Sequence, residues 1–455
     1  MPALLTQKYR SFLAKQFSNA IATGMVGAYV FIGRPSPWID SANVSVSDTN
    51  PPIPVDDVQT QDFDYWRDLL AAKRVTESAT QLVVPRRNWT TGTIYDQYDD
   101  LDDILYTKAY FVLDTLDMPF KVYKCLWNNN GGTSTIAPST IDVALTPQET
   151  ADGYVWQYMY TIDSLYTKFL SNSWMPVLTD SSVQANAWTY AGRLPTAVPL
   201  VIENGGATYN ASVNVVVTLV GDGKDAAVAN SGVGVTGGVI SSIVLATGGL
   251  GYSEVTSINV YQAGAGTLAI ARAIIPPYPN HGYDPIKELH ATALMLTAQF
   301  DQSEANNLTV VNDYRRVGLL INPTESSNGD LAAASFYRQT TDIAISANTG
   351  VLLRDDVITN VSKASRPTAI VVDVVGTSPN YTVRVVGVDD EGETDPFEYG
   401  ETIKNLVSGV EATVSGATGP ELTPYSGDIV WVNQRTPITR GSDQIEEVKI
   451  IFPFK

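Results

Sequence analysis

Residues 201–266 repeat themselves with a shift of 43 positions: Val201, Gly205, Gly206, Tyr209, Val215, Val217, Gly221 and Gly223 recur as Val244, Gly248, Gly249, Tyr252, Ile258, Val260, Gly264 and Gly266. Each copy reads as an apolar strand, a Gly-Gly turn with a following tyrosine, an alternating strand and a Gly-x-Gly turn. Glycine recurs where a chain needs positive φ, and the alternating Val and Ile residues suit one packed sheet face. Two copies are too few for a solenoid, which needs about three or more stacked units. The pattern therefore predicts a small two-fold β module over 201–276. The GDG and GAG turns do not read as phosphate loops, because no G-x-G-x-x-G opens a helix and no Lys-Ser/Thr follows.

The rest of the 455-residue chain also leans towards strands. Its length suits about three domains, and 44% apolar against 17% charged residues is a globular balance rather than a disordered one. Leu5, Tyr9, Phe12, Leu13 and Phe17 stand near helical spacing and predict a helix over 4–22 that docks this face. It reads as a mature amphipathic helix and not a signal peptide, and no apolar run reaches the ~18 residues of a membrane span. A second helix is expected over 56–74, with Asp56 and Asp57 at its positive end and a stripe of Phe63, Trp66, Leu69 and Leu70. From Gln81 to Trp174 the runs QLVVP, AYFVL, FKVYKCLW and YVWQYMYTI read as strands, and the Asn128–Gly132 run as a loop. Residues 346–418 suggest a small barrel or sandwich, and the C-terminal stretch reads as strand, loop, strand. The expected fold class is mainly β with a few helices, α+β in kind.

The inventory for chemistry is poor. A net charge of −19 argues against a free nucleic-acid binder. The single cysteine, Cys125, excludes an intrachain disulfide, points to a reducing compartment, and reads as a buried small hydrophobe. His281 and His290 lie nine residues apart with no cysteine near, which is no zinc ligand set, and neither adjoins a nucleophile elbow. His281 in NHGYD reads as a turn residue. The acidic runs DQYDDLDD (96–103) and DDEGETD (389–395) lack the Asp-x-Asp-x-Asn-Gly turn and distal glutamate of a calcium loop and read as solvated loops. No two carboxylates are singled out as a glycosidase pair. Arg86 and Arg87 suggest a phosphate site or an interface, and on a strand they point to opposite faces. No catalytic, cofactor or metal site is expected.

Five stretches in order, FIGRPSPW (31–38), VPRRNW (84–89), DGYVWQYMY (152–160), YRRVGLLINP (314–323) and SGDIVWVNQRTPI with DQIEEVKIIF (426–438 and 443–452), together resemble the peripheral, dimeric baseplate wedge subunit of T-even-type contractile-tailed phages. The resemblance implies an elongated, multi-domain, β-rich structural protein, not an enzyme. It implies a homodimer that joins other wedge proteins, helps attach tail-fibre proteins, is assembled in the host cytoplasm and resides in the virion tail baseplate, with no nucleic-acid partner and no membrane insertion. The expected division is an N-terminal α+β wedge domain over 1–200, the Gly-rich repeat insert over 201–276, a return to the wedge domain over 277–345, a small barrel or sandwich insert over 346–420, and closing strands over 421–455. Interface candidates are Trp38, Arg86, Arg87, Trp89, Trp156, Arg435 and Pro437, chosen as aromatic or guanidinium anchors and turn-fixing prolines. The competing reading is a receptor- or glycan-binding tail protein, since tyrosine and tryptophan stack on sugars; a tail hydrolase is the third.

Overall fold

The strand Ala28–Gly33 is buried at every position, so it needs neighbours on both edges and cover on both faces. In the computed structural model of the chain it pairs antiparallel with Leu69–Arg74 on one side and Asp313–Ile321 on the other. The sheet extends to Phe336–Arg338 beyond the first and to Asp428–Thr439 beyond the second. Residue Gly318 faces Phe31 across the ladder. A Cβ there would come 2.2 Å from the Phe31 ring, so glycine is required for that ring to lie over the strand. Tyr29, Phe31, Trp66, Leu69, Leu320 and Tyr337 form the core on this sheet.

The structure describes residues 4–39, 46–56, 60–140, 145–309, 312–377, 380–390, 395–441 and 443–454. They fall into two compact units, each discontinuous in sequence: residues 1–16, 81–295 and 451–455 form the first, and 17–80 with 296–450 the second.

The second unit holds the five-stranded sheet and a closed six-stranded barrel, with Thr341–Asn348, Asn380–Asp389, Thr368–Thr377, Val357–Asn360, Thr402–Asn405 and Glu411–Thr418 in order around it. Its core is aliphatic, with Ile343, Ile345, Val371, Val383, Val385 and Val414 pointing inward at alternate positions. The barrel answers the sequence expectation for 346–418. The helix expected over 56–74 is corrected. It runs only over Thr60–Arg67, and Leu69–Arg74 is a strand. The run Leu69–Ala72 is buried throughout, and a short continuous apolar run suits a doubly covered strand as well as a helix. Here ladder pairing to Ala28–Gly33 decides. Asp57 lies outside the described residues.

The first unit carries a sheet ordered Phe111–Asp114, Phe120–Asn128, Tyr154–Ile162 and Gln148–Glu149. Its core packs Tyr95, Tyr123, Cys125, Tyr154, Trp156 and Val183. Cys125 is fully buried, and burial pushes its thiol far above the ordinary range, so it behaves as the hydrophobe expected. A helix over Ser181–Thr189 was not foreseen from the sequence; Asp180 caps it by accepting from Ser182 N at 2.8 Å and Val183 N at 3.2 Å.

The repeat becomes a pseudo-two-fold arrangement within this unit. Strand Val216–Gly221 of the first copy pairs antiparallel with its own counterpart, Val255–Tyr261, and Val217 faces Val260, its repeat mate. Around that pair, Val201–Asn204 pairs with Ile270–Arg272, and Val239–Thr247 with Val228–Thr236. The two tyrosines do the same work in each half: the Tyr209 hydroxyl accepts from Ala269 N at 2.8 Å, and that of Tyr252 from Ala227 N at 2.9 Å.

The N-terminal helix spans Gln7–Ala22, but its inward face is not the one expected. Ser11, Ala14 and Ile21 are buried, while Leu5, Tyr9 and Phe12 are 60%, 46% and 52% exposed. No helix among the described residues is long and apolar enough to cross a membrane.

Candidate protein–protein interface

Three of the sequence motifs, far apart in the chain, meet at Trp38 in the second unit. Its backbone N–H donates to Asp48 Oδ1 at 2.8 Å and its indole Nε1 to the Arg435 carbonyl at 3.0 Å. The Arg34 and Arg316 guanidinium carbons lie 4.8 and 5.6 Å from its ring centroid, within cation–π range. Neighbours on one strand, Arg315 and Arg316 take different partners. Arg315 grips Asp48 with two bonds of 2.9 Å and also donates to the Pro35 carbonyl. Arg316 donates to Asp68 and, at 3.2 Å, to the Asp64 carbonyl. Both arginines are almost fully buried. The Arg315 hydrogen bonds hold the Asp48 carboxyl below the usual carboxylate range. Burial pushes Asp68 up, opposed by the Arg316 and Arg34 cations. Trp38 is thus a clamp between loop and sheet, 6% exposed, and not a surface anchor.

In the first unit, Arg86 and Arg87 diverge as two adjacent residues of an extended chain do. Arg86 donates to the Ser171 carbonyl at 2.9 Å and to Asn88 Oδ1 at 2.8 Å. Arg87 donates to the Lys108 carbonyl and stacks 4.8 Å over Phe111. Trp89 is half-buried, with its indole donating to Ser134 Oγ at 3.0 Å. Trp156 is wholly buried and stacks on Tyr154 at 5.5 Å, so it offers no surface to a partner. Of the seven candidates, only Arg435 and Pro437 are exposed. They lie on Asp428–Thr439, the last strand of its sheet, to whose outer edge no further described strand is paired. A long open edge is a template for another chain, and a proline on it limits indiscriminate pairing.

Two apolar surfaces were missed in the sequence. The Leu5, Tyr9 and Phe12 stripe is expected to dock within the fold, but periodicity marks a face without saying which way it points. Trp188, 50% exposed, meets Tyr278, 74% exposed, edge-to-face at 5.7 Å. The Asp180 cap was the available signal for the helix that carries Trp188.

The histidines belong to a buried ionic cluster. Lys124 is ion-paired with Glu288, both essentially inaccessible. Glu288 also accepts from Gly282 N at 2.8 and 3.0 Å and from Asp284 N at 3.2 Å. His281 does sit in a turn, but a buried one: it packs edge-to-face on Tyr98 at 5.0 Å, and burial holds it neutral, far below the ordinary histidine range. Burial, then the Lys124 and Lys8 cations, lower His290 to about 4. The unfolded chain protonates its histidines near pH 6.5, so between 6.5 and 4 it binds more protons than the fold. The stabilisation is complete above pH 6.5 and is lost as pH falls towards 4, at about 1.4 kcal/mol per pH unit for each such group. Melting at pH 7.5 and 5.5 should show a smaller acid-induced drop in His290→Asn than in the parent, asparagine being tolerant of the φ of +54° at this position. Equal drops would refute the assignment.

Four of the five carboxylates of 96–103 are pinned rather than solvated, and the fifth, Asp103, is exposed as expected. Arg272 donates to both oxygens of Asp99, Asp100 accepts from Ile275 N at 3.1 Å, Asp96 from Ala109 N at 2.7 Å, and Asp102 pairs with Lys108. Among the described residues no group of three or more His, Cys, Asp or Glu is placed to hold a metal ion. Residues 391–394 of the second acidic run lie outside the described residues.

Residues 3–137 match the family described as Bacteriophage T4, Gp8. The baseplate wedge protein gp8 of Enterobacteria phage T4 is 28% identical over 188 residues, which is 35% of this chain and 55% of that protein. The chain thus spans about half the length of the curated relative it matches. It is similar to a T4-type baseplate wedge subunit, as its motifs suggested. The matched stretch contributes strands to both units, Ala28–Gly33 and Leu69–Arg74 to the second, Phe111–Asp114 and Phe120–Asn128 to the first.

Proposed function

We propose that this protein is a structural subunit of a contractile-tail baseplate, pairing with a second copy of itself and with other wedge proteins, and helping to attach tail-fibre proteins. The observation that carries this reading is the match over residues 3–137, which runs through the central strands of one unit and the main sheet of the other. The placement of polar groups supports it: Arg315, Lys124 and Glu288 are tied to intramolecular partners and brace the fold. The exposed Leu5–Phe12 stripe, the Arg435–Pro437 edge and the Trp188–Tyr278 pair are the surfaces such assembly uses, since aromatic and apolar anchors dominate interface energy. Light scattering on the purified chain should give a dimer, and co-expression with sibling tail proteins should yield a co-purifying complex. A strict monomer that captures none of them would overturn the proposal.

A further inference from the structure

Beside Trp38, within the second unit, lies a cavity of about 450 Å³ lined by Arg34, Arg67 and Arg316, by Asp64 and Asp68, and by apolar Ile53 and Val55. Three guanidiniums face two carboxylates. Of these, Asp68 is already committed to Arg316 and Arg34. The Nε–H groups of Arg34 and Arg316 are buried without an acceptor. A buried donor without an acceptor is costly, and both of these belong to side chains that line the one cavity. Arg67 is exposed and makes no hydrogen bond or ion pair with any described residue. At the rim, Ile53 and Val55 are 85% and 58% exposed.

We propose that this cavity receives a single carboxylate, an aspartate or glutamate side chain carried on an extended, partly apolar segment of a partner protein. The surplus is one positive charge, which matches a monoanion rather than a phosphate dianion. The planar guanidinium fork matches a carboxylate in two bonds. A chain of net charge −19 disfavours a polyanion such as nucleic acid, and the exposed isoleucine and valine provide contact for the residues flanking the acid. The inference rests on the reading of the protein as an assembly subunit, but its test is made on the isolated chain, so its failure leaves that reading standing.

The test follows the orphaned donors directly. The full chain, labelled with ¹⁵N at arginine Nε, is titrated with N-acetyl-isoleucyl-glutamate N-methylamide, its glutamine counterpart and inorganic phosphate; Arg34→Lys identifies the Arg34 resonance. The expected result is saturable movement of the Arg34 and Arg316 Nε–H resonances with the glutamate peptide. Binding should weaken about tenfold or more with the glutamine peptide and in Arg67→Ala, whose melting temperature should be unchanged because Arg67 is exposed. Three outcomes overturn the proposal: no movement with the glutamate peptide, equal binding of the glutamine peptide, or phosphate binding as tightly as the glutamate peptide.

Discussion

Glu288→Ala is expected to destabilise the first unit by about 3–5 kcal/mol, the cost of leaving one member of a buried ion pair without the other. Lys124 has no exposed side-chain surface, and its neighbours are Glu288, the Tyr98 ring at 4.7 Å and the neutral His281. Burial already lowers the Lys124 ammonium below the ordinary lysine range. Without Glu288 nothing opposes that burial, and Lys124 sheds its proton in the fold while keeping it in the unfolded chain. Over the window between those two pKa values the unfolded state binds more protons, so the stability of the variant should rise with pH. The substitution also strips the acceptor from Gly282 N and Asp284 N. Removing both charges, as Lys124→Met with Glu288→Leu, should recover much of the loss, because apolar pairs of similar volume replace buried ion pairs at little cost. Urea unfolding of the two variants against the parent measures this. A loss below about 1 kcal/mol in Glu288→Ala would show that the cluster is solvated in the native protein.

Gly249→Ala should cost about 2–5 kcal/mol and disorder the repeat module. At φ +60° a side chain pays roughly 1–2 kcal/mol for the left-handed backbone. The new Cβ would then stand 2.3 Å from the Asp225 carbonyl and 2.7 Å from Ala227 N, backbone atoms that cannot swing away, and such overpacking adds about 1–3 kcal/mol. Its repeat mate Gly206, at φ +67° and 2.4 Å from the Thr267 carbonyl, should respond alike. Gly237 supplies the control. Its φ is +61°, yet nothing lies within 4 Å of its would-be Cβ, so Gly237→Ala carries the backbone term alone. Hydrogen exchange across 201–276, with urea unfolding, separates the two terms. Equal losses at Gly237 and Gly249 would mean that the close approach in the module is not real.

These two sites show how differently a sequence exposes its constraints. The repeat was legible because a glycine forced by geometry has no substitute, and a doubled fold doubles the pattern. The Lys124–Glu288 pair was invisible, since its partners stand 164 positions apart and a lysine in FKVYKCLW carries no mark of burial. Trp38, Arg315 and Arg316 stood out as motif residues, but their meeting with Asp48 and Asp68 needed the sheet to bring four segments together. The N-terminal stripe was legible as a stripe only.

What the sequence by itself determined is local: mainly β composition, the barrel-length run of alternating strands, the two-fold repeat with its obligatory glycines, and a family resemblance carried by ordered motifs. Helix against strand at Leu69–Arg74, inside against outside for Leu5, Tyr9 and Phe12, and the split into two units each stitched from distant segments were decided only by tertiary structure. The reason is that ladder pairing and burial are properties of which surfaces meet. Periodicity records that a face is apolar, and only the rest of the folded chain, or a partner, supplies what covers it.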